Sequence, residues 1–163
     1  MKITSIEARA VEGPVSDLCF VTVETDTGLV GHGECSLPGK PDGVVGAVRD
    51  VAPLILGADP RDTEWCWQRI YRHAFWRGGP IQTSALSGID VALWDIRGKD
   101  AGLPIYRLLG GAVRQRIKLY ANLGLSLDPS EFRTRVRHAR AMGYRAFKIY
   151  PLPPVNGVVE RRE

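Results

Sequence analysis

The feature that most constrains this chain is a change of pattern after Gly110-Gly111. Beyond that point Ile117 to Ala121 reads as a short strand, Asp128-Pro129-Ser130-Glu131 as a helix start, and Ala146 to Tyr150 as a second strand. Asp128 supplies an acidic N-cap, Pro129 the proline at N1 and Glu131 the carboxylate at N3. Phe132, Val136 and Ala139 give the helix an apolar side, and Gly143 ends it. Strand, helix and strand within roughly thirty residues make a βαβ unit, which demands parallel pairing and a helix packed on the sheet. One such cycle is visible, and Val158 to Glu163 match no strand pattern.

The residues ahead of Gly110 follow a different plan. Ile3 to Glu12, Leu18 to Thr25 and Leu29 to Glu34 are strand-like, with alternating or β-branched side chains. The loop Gly13 to Asp17 and the turn Asp26-Thr27-Gly28 join them into a three-stranded antiparallel meander. Helices follow. Val44, Val48, Val51 and Ile55 recur at helical spacing, with Pro53 expected to break the last turn. Gly57-Ala58-Asp59-Pro60 is a stop and restart. Trp67, Ile70, Tyr71, Ala74 and Phe75 then form an apolar stripe predicted to be buried, and Trp65, Trp67 and Trp76 are expected to pack in the core on or beside that helix. Arg77-Gly78-Gly79-Pro80 breaks the chain. A third helix is predicted from about Ser84 to Ala101, with Leu86, Ile89, Leu93 and Ile96 as its stripe and Gly102 and Pro104 closing it. The predicted organisation is an α+β module over residues 1–112 and a β/α stretch over 113–163.

Composition narrows the class. With 44% hydrophobic and 25% charged residues the chain matches ordinary globular usage, which excludes a disordered or fibrous protein. No apolar run reaches bilayer length and the N-terminus lacks the h-region of a signal peptide, so no membrane partner and a cytoplasmic location are expected. The net charge of +4 carries no nucleic-acid motif, and Arg133, Arg135, Arg137 and Arg140 share one predicted helix and read as a solvated face, so no nucleic-acid partner is expected. Cys19, Cys35 and Cys66 are odd in number and widely spaced, which reads as free thiols. His32, His73 and His138 are not spaced as metal ligands. Asp90 and Asp95, five residues apart on a helix, do not share a face and look structural.

The stretch Ser84-Ala85-Leu86-Ser87-Gly88-Ile89-Asp90-Val91-Ala92-Leu93-Trp94-Asp95-Ile96-Arg97-Gly98-Lys99, continuing through Leu103-Pro104-Ile105-Tyr106-Arg107-Leu108-Leu109-Gly110-Gly111, resembles the signature of the mandelate racemase / muconate lactonizing enzyme branch of the enolase superfamily. Gly28-Leu29-Val30-Gly31-His32-Gly33-Glu34 is similar to the turn and third strand of that family's capping domain. Trp76-Arg77-Gly78-Gly79-Pro80 is similar to its galactonate and mannonate dehydratase groups. The resemblance covers residues 1 to about 150. It implies an enolase-like N-terminal capping domain over the first βαβ unit of an incomplete (β/α) barrel. It also implies an acid-sugar dehydratase that removes the proton α to a carboxylate and then expels the β-hydroxyl. That proton is too weak an acid for a side-chain base in water, so the family's Mg²⁺ holds the enediolate as charge develops. The metal carboxylates are expected from later barrel strands, beyond residue 163, which would leave the 163-residue chain inactive by itself. A full-length homo-oligomer is expected. Two alternatives stay open: a racemase or cycloisomerase of the same superfamily, and a non-catalytic oligomerisation or binding module.

In a parallel barrel the catalytic face lies at the C-terminal ends of the strands. Alternation over Ala146 to Tyr150 puts Lys148 and Tyr150 on one face and Phe147 and Ile149 on the other, and the apolar pair suits the helix side. Lys148 matches the first lysine of the family's Lys-x-Lys pattern, whereas Tyr150 departs from the second. A tyrosine base needs a neighbouring cation, which Lys148 could supply. Otherwise Lys148 is a rim lysine and Tyr150 a packing or hydrogen-bonding residue. Asn122, ending the first barrel strand, is a candidate for binding a sugar hydroxyl or else a turn residue. The loops Gly13 to Asp17 and Cys35 to Pro41 correspond to the family's two specificity loops. Their one cation, Lys40, is a candidate for the substrate carboxylate or else a solvated side chain.

Overall fold

The computed structural model describes residues 1–13, 16–124 and 128–149. They divide into two compact units, Met1–Ala112 and a second beginning at Val113. The first unit is built on the predicted meander: β1 (Ile3–Val11), β2 (Leu18–Thr25) and β3 (Val30–Glu34), antiparallel, in the order β1-β2-β3. Gly28, at φ 83°, makes the β2–β3 turn, and its N–H donates to Thr25 O at 3.1 Å. Along β2 the side chains alternate as a half-buried strand requires. Cys19, Val21, Val23 and Thr25 are buried, while Phe20 and Glu24 are exposed.

Helices cover the buried face. In α1 (Pro41–Val51) the buried residues are Val44, Val48 and Val51. Pro53 then forces a 3-10 turn, Ala52–Leu54, which delivers Ile55 into the core. The second helix departs from its predicted stripe. α2 (Thr63–Arg72) ends before Ala74 and buries Thr63, Cys66 and Ile70. Phe75 and Trp76 lie beyond it, 86% and 80% exposed, and Trp65 is also exposed. The expectation that these tryptophans pack in the core is therefore wrong for Trp65 and Trp76. The helical spacing runs on past Arg72, the last residue of α2, so Phe75 and Trp76 are not carried on the helix, and Trp65 lies on α2 but off its Cys66–Ile70 buried face. Tyr71, exposed as well, stacks on Trp67 at 4.8 Å.

α3 (Pro80–Ala101) is the central helix and starts four residues before the predicted Ser84, because Pro80 is already preorganised as the first helical residue. Leu86, Ile89, Leu93 and Ile96 are buried as predicted. Each side chain of this size contributes about 1.5–3 kcal/mol when removed from water. Gly102, left-handed at φ 63°, and the Leu103 N–H donating to Gly98 O close the helix, and α4 (Ile105–Leu108) follows.

The glycine spacing in Gly31-His32-Gly33 has a steric cause. β3 lies so close to α3 that a Cβ on Gly31 would overlap the Ala92 carbonyl, and one on Gly33 the Gly88 carbonyl. Asp95 and Lys99 of α3 then cover the free edge of β3. The His32 N–H donates to Asp95 Oδ2 at 2.9 Å, and Lys99 Nζ donates to Asp95 Oδ2 at 2.6 Å and to Val30 O at 2.7 Å. Burial pushes the Asp95 carboxyl up, but these hydrogen bonds and the Lys99 charge outweigh it and hold it below the ordinary value.

The second unit holds β4 (Ala121–Asn122), α5 (Pro129–Ala141) and β5 (Phe147–Lys148), with β4 and β5 parallel. Asp128 caps α5 by accepting from Ser130 N–H at 2.8 Å. Both strands are shorter than predicted. Ile117, Leu119 and Tyr120 are exposed and outside β4. A parallel strand needs neighbours on both edges and cover on both faces, and among the described residues each of these two strands has one neighbour. Tyr150 and Val158 to Glu163 lie outside the described residues.

Candidate functional site

The parallel pair sets the geometry of the strand ends. Asn122 is the register partner of Lys148, Ala121 N–H donates to Ala146 O at 3.0 Å, and Leu123 N–H donates to Lys148 O at 3.0 Å. Neighbouring strands lie about 5 Å apart, so the two side chains stand side by side. Leu123 and, on α5, Ala139 are buried, whereas Asn122 and Lys148 are exposed. Alternation therefore puts Asn122 and Lys148 on the face away from α5. An ammonium beside an amide is the chemistry that meets a carboxylate and an adjacent hydroxyl: the cation takes the charge, and the amide both donates and accepts. Asn122 has a turn role too, since its Oδ1 accepts from Gly124 N–H at 3.2 Å. The following carbonyl, Leu123 O, is held by Arg135 Nη1 at 2.7 Å, and Arg135 also pairs with Glu131 at 2.6 Å. α5 thus anchors the end of β4. Arg133, Arg137 and Arg140 of the same helix are exposed.

In the first unit, the two predicted specificity loops leave the sheet at one end. Val11 pairs with Leu18, and Phe20 with Glu34. The Cys35 N–H donates to Cys19 O at 2.8 Å, and the Cys19 N–H to Ser36 Oγ at 2.9 Å. Residues 14 and 15 of the first loop lie outside the description. Lys40 sits at the N-cap position of α1 with its side chain exposed, and its carbonyl accepts from Val44 N–H. Beside this loop is a polar hollow lined by Glu34, Cys35, Ser36, Thr83, Ser84 and Ser87. Sequence reasoning passed over the hydroxyls of Ser84 and Ser87. Their i, i+3 spacing at the start of α3 was the available signal.

Asp95 performs a structural task, as the sequence suggested. Asp90 is half-buried; burial and then the Glu64 charge push its carboxyl up. His32, His73 and His138 are exposed: His32 Nδ1 lies 3.4 Å from Thr22 Oγ1, and His73 Nδ1 lies 2.6 Å from Ile70 O. Cys19, Cys35 and Cys66 are free and buried. Burial raises all three thiols, to about 11 for Cys35 and Cys66. Among the described residues no three His, Cys, Asp or Glu side chains converge. No helix among them is long and apolar enough to cross a membrane.

Comparison with known proteins meets this geometry from the other side. The family model for the mandelate racemase / muconate lactonizing enzyme N-terminal domain matches residues 5–110. D-galactonate dehydratase from Pectobacterium atrosepticum is 44% identical over 130 residues, covering 80% of this chain and 34% of that protein. D-galactonate dehydratase from Ralstonia nicotianae is 43% identical, again over 80% of this chain and 34% of the relative. The chain thus spans about a third of the length of these relatives. Among solved structures, an enolase from Pantoea ananatis with bound D-gluconate and Mg is 36% identical, with a TM-score of 0.83 over 91% of this chain and 36% of that one. An enolase-superfamily member from Salmonella Typhimurium is 33% identical, with a TM-score of 0.84 over 91% of this chain and 42% of its own. The three-stranded meander with its helices, followed by the start of a parallel β/α layer, is the shared architecture, and this chain belongs to the mandelate racemase / muconate lactonizing enzyme family of the enolase superfamily.

Proposed function

We propose that this chain is the N-terminal part of an Mg²⁺-dependent acid-sugar dehydratase, with residues 1–112 as the capping domain and 113–163 as the first portion of the barrel domain. The observation that carries this reading is the register pair Asn122–Lys148 at the ends of two parallel strands. Its relatives are D-galactonate dehydratases, and a structural neighbour holds D-gluconate and Mg. Mg²⁺, when bound, supplies a Lewis acid for the substrate carboxylate and the enediolate. Lys148 places a cation where charge develops when the α-proton leaves, and Asn122 orients a hydroxyl beside it. Tyr150, two residues on in the sequence, is the proposed base; a tyrosine in that role needs a neighbouring cation, and Lys148 is the candidate. Lys40 on the capping loop is the candidate proposed for the substrate carboxylate. The chain alone does not turn over in this reading. The enzyme it belongs to works as a homo-oligomer in the cytoplasm.

The test is a titration of the 163-residue chain with D-galactonate and D-gluconate, followed by NMR, alongside an assay for loss of water in the presence of Mg²⁺. Shifts should cluster at Asn122 and Lys148, vanish in Lys148→Met and be kept in Lys118→Met, with no saturable turnover. Shifts that survive Lys148→Met, or turnover by the wild-type chain, would overturn the reading.

A further inference from the structure

The two edges of the meander are treated differently. β3 is covered: Asp95 takes the outward His32 N–H, and Lys99 takes the outward Val30 carbonyl. β1 is the other edge. Its first residue is occupied, because Ile3 exchanges hydrogen bonds with Ala58 O and Gly57 N–H. From Ser5 to Val11 no covering element is recorded among the described residues. Natural edges are usually blunted by lysine, proline, a bulge or a cap. β1 has a bulge between Ile3 and Ser5, but the seven residues after it contain no lysine or proline.

The hydrogen-bonding phase of that edge follows from the ladder. On β2, Cys19 O accepts from Cys35 N–H and Thr25 N–H donates to Leu29 O, so the odd-numbered residues bond toward β3. The even-numbered residues bond toward β1, where Thr22 faces Glu7 and Phe20 faces Arg9. In an antiparallel ladder the intervening residues point the other way. Ile6, Ala8 and Ala10 therefore offer their N–H and C=O groups outward. Glu7 and Arg9 project from the outer face, 61% and 82% exposed, and pair with each other at 3.1 Å.

We propose that this edge pairs with β1 of a second copy of the same chain, antiparallel, with Ala8 on the two-fold axis. A two-fold contact must be self-complementary, and charge selects this register among the possible ones. With Ala8 opposite Ala8, Ile6 faces Ala10 and each Glu7 faces the other copy's Arg9, so all three outward residues bond. A shift by one pair toward the N-terminus sets Glu7 against Glu7. A shift toward the C-terminus sets Arg9 against Arg9. Like charges directly opposite destabilise a strand pair, and opposite charges stabilise it. Along the same edge runs a groove floored by Ile6, Ala8, Val45, Val48 and Leu56, the last 48% exposed, which the second copy's inward-facing side chains would cover. The result is one six-stranded sheet shared by two chains, a surface independent of the catalytic reading.

Sedimentation equilibrium of the 163-residue chain tests it by charge swapping. The wild type should dimerise. Glu7→Arg alone and Arg9→Glu alone each set like charges opposite, and each should weaken the dimer by about tenfold or more. The double swap should restore it. A mixture of the two single variants should form a heterodimer, because both outer-face positions are basic in one variant and acidic in the other. Ala8→Pro removes an outward N–H, leaves the β2 ladder intact and should give a monomer; its far-UV circular dichroism serves as the folding control. A monomeric wild type, a dimer that survives Ala8→Pro, or single and double variants that behave alike would each overturn the proposal.

Discussion

Residues 1–112 and the stretch from Val113 face the same requirement, to remove apolar side chains from water, and meet it unequally. In the first unit, the inner residues of β2, the valines of α1 and the stripe of α3 share one core in which Val21, Val23, Val44 and Ile89 are all 0% exposed. In the second, Leu123 and Ala139 are the buried apolar residues among those described, while Ile117, Leu119 and Ile149 remain in water. The difference is one of topology. An antiparallel meander closes its hydrogen bonds with short turns and needs cover on one face. A parallel pair needs strands on both sides and helices beyond them. The two strands among the described residues, β4 and β5, have one neighbour each.

The sharpest way to break this comparison is to truncate matched side chains. Ile89→Ala should cost roughly 2–5 kcal/mol in urea unfolding, as large-to-small changes in a closed core do. Ile149→Ala should cost less than about 0.5 kcal/mol, as surface changes do. Equal costs would mean that the second unit has a core of its own. A smaller effect tests the close contact between β3 and α3. Gly33→Ala forces a Cβ onto the Gly88 carbonyl, and overpacking of this kind costs about 1–3 kcal/mol. Amide exchange should speed up in β3 and α3 and stay unchanged in α5. A uniform change through both units would show that they do not unfold separately.

The smallest effect is electrostatic. The Asp95 carboxyl is depressed in the folded state, so its contribution is present above the unfolded value, about 3.9, and is lost as pH falls through the folded one. The first unit should lose stability as the medium is acidified from about pH 4. Asp95→Asn should flatten that arm of the profile and leave the neutral region shifted by a constant. The measurement is the urea midpoint against pH. An unchanged acid slope would show that Asp95 is not the group responsible.

Several features could be read directly from residue order. The β2 alternation, the Leu86-Ile89-Leu93-Ile96 stripe, the Asp128 cap and the Pro53 break are local, because each depends on spacing along a single element. The α2 stripe failed for the same reason in reverse. Trp67 to Phe75 keep helical spacing, but α2 ends at Arg72, so Phe75 and Trp76 are not carried on its buried face, and periodicity carries no information about where a helix stops. The candidate site was legible only in part. Alternation placed Lys148 opposite Phe147, whereas its alignment with Asn122 belongs to a register between strands 26 positions apart.

Local order thus determined which segments are strands or helices, which faces are apolar, and that residues up to about 112 follow one plan and the rest another. Tertiary structure alone decided that Gly31 and Gly33 are glycines because a helix backbone lies against them. It alone decided that Asp95 and Lys99 guard one sheet edge while, among the described residues, nothing covers β1 from Ser5 to Val11, and that Asn122 and Lys148 stand together. The reason is physical. Helix and strand periodicity depend on neighbours a few bonds away, whereas close approach, edge coverage and register are relations between segments that meet only after the chain has paid its conformational entropy to fold.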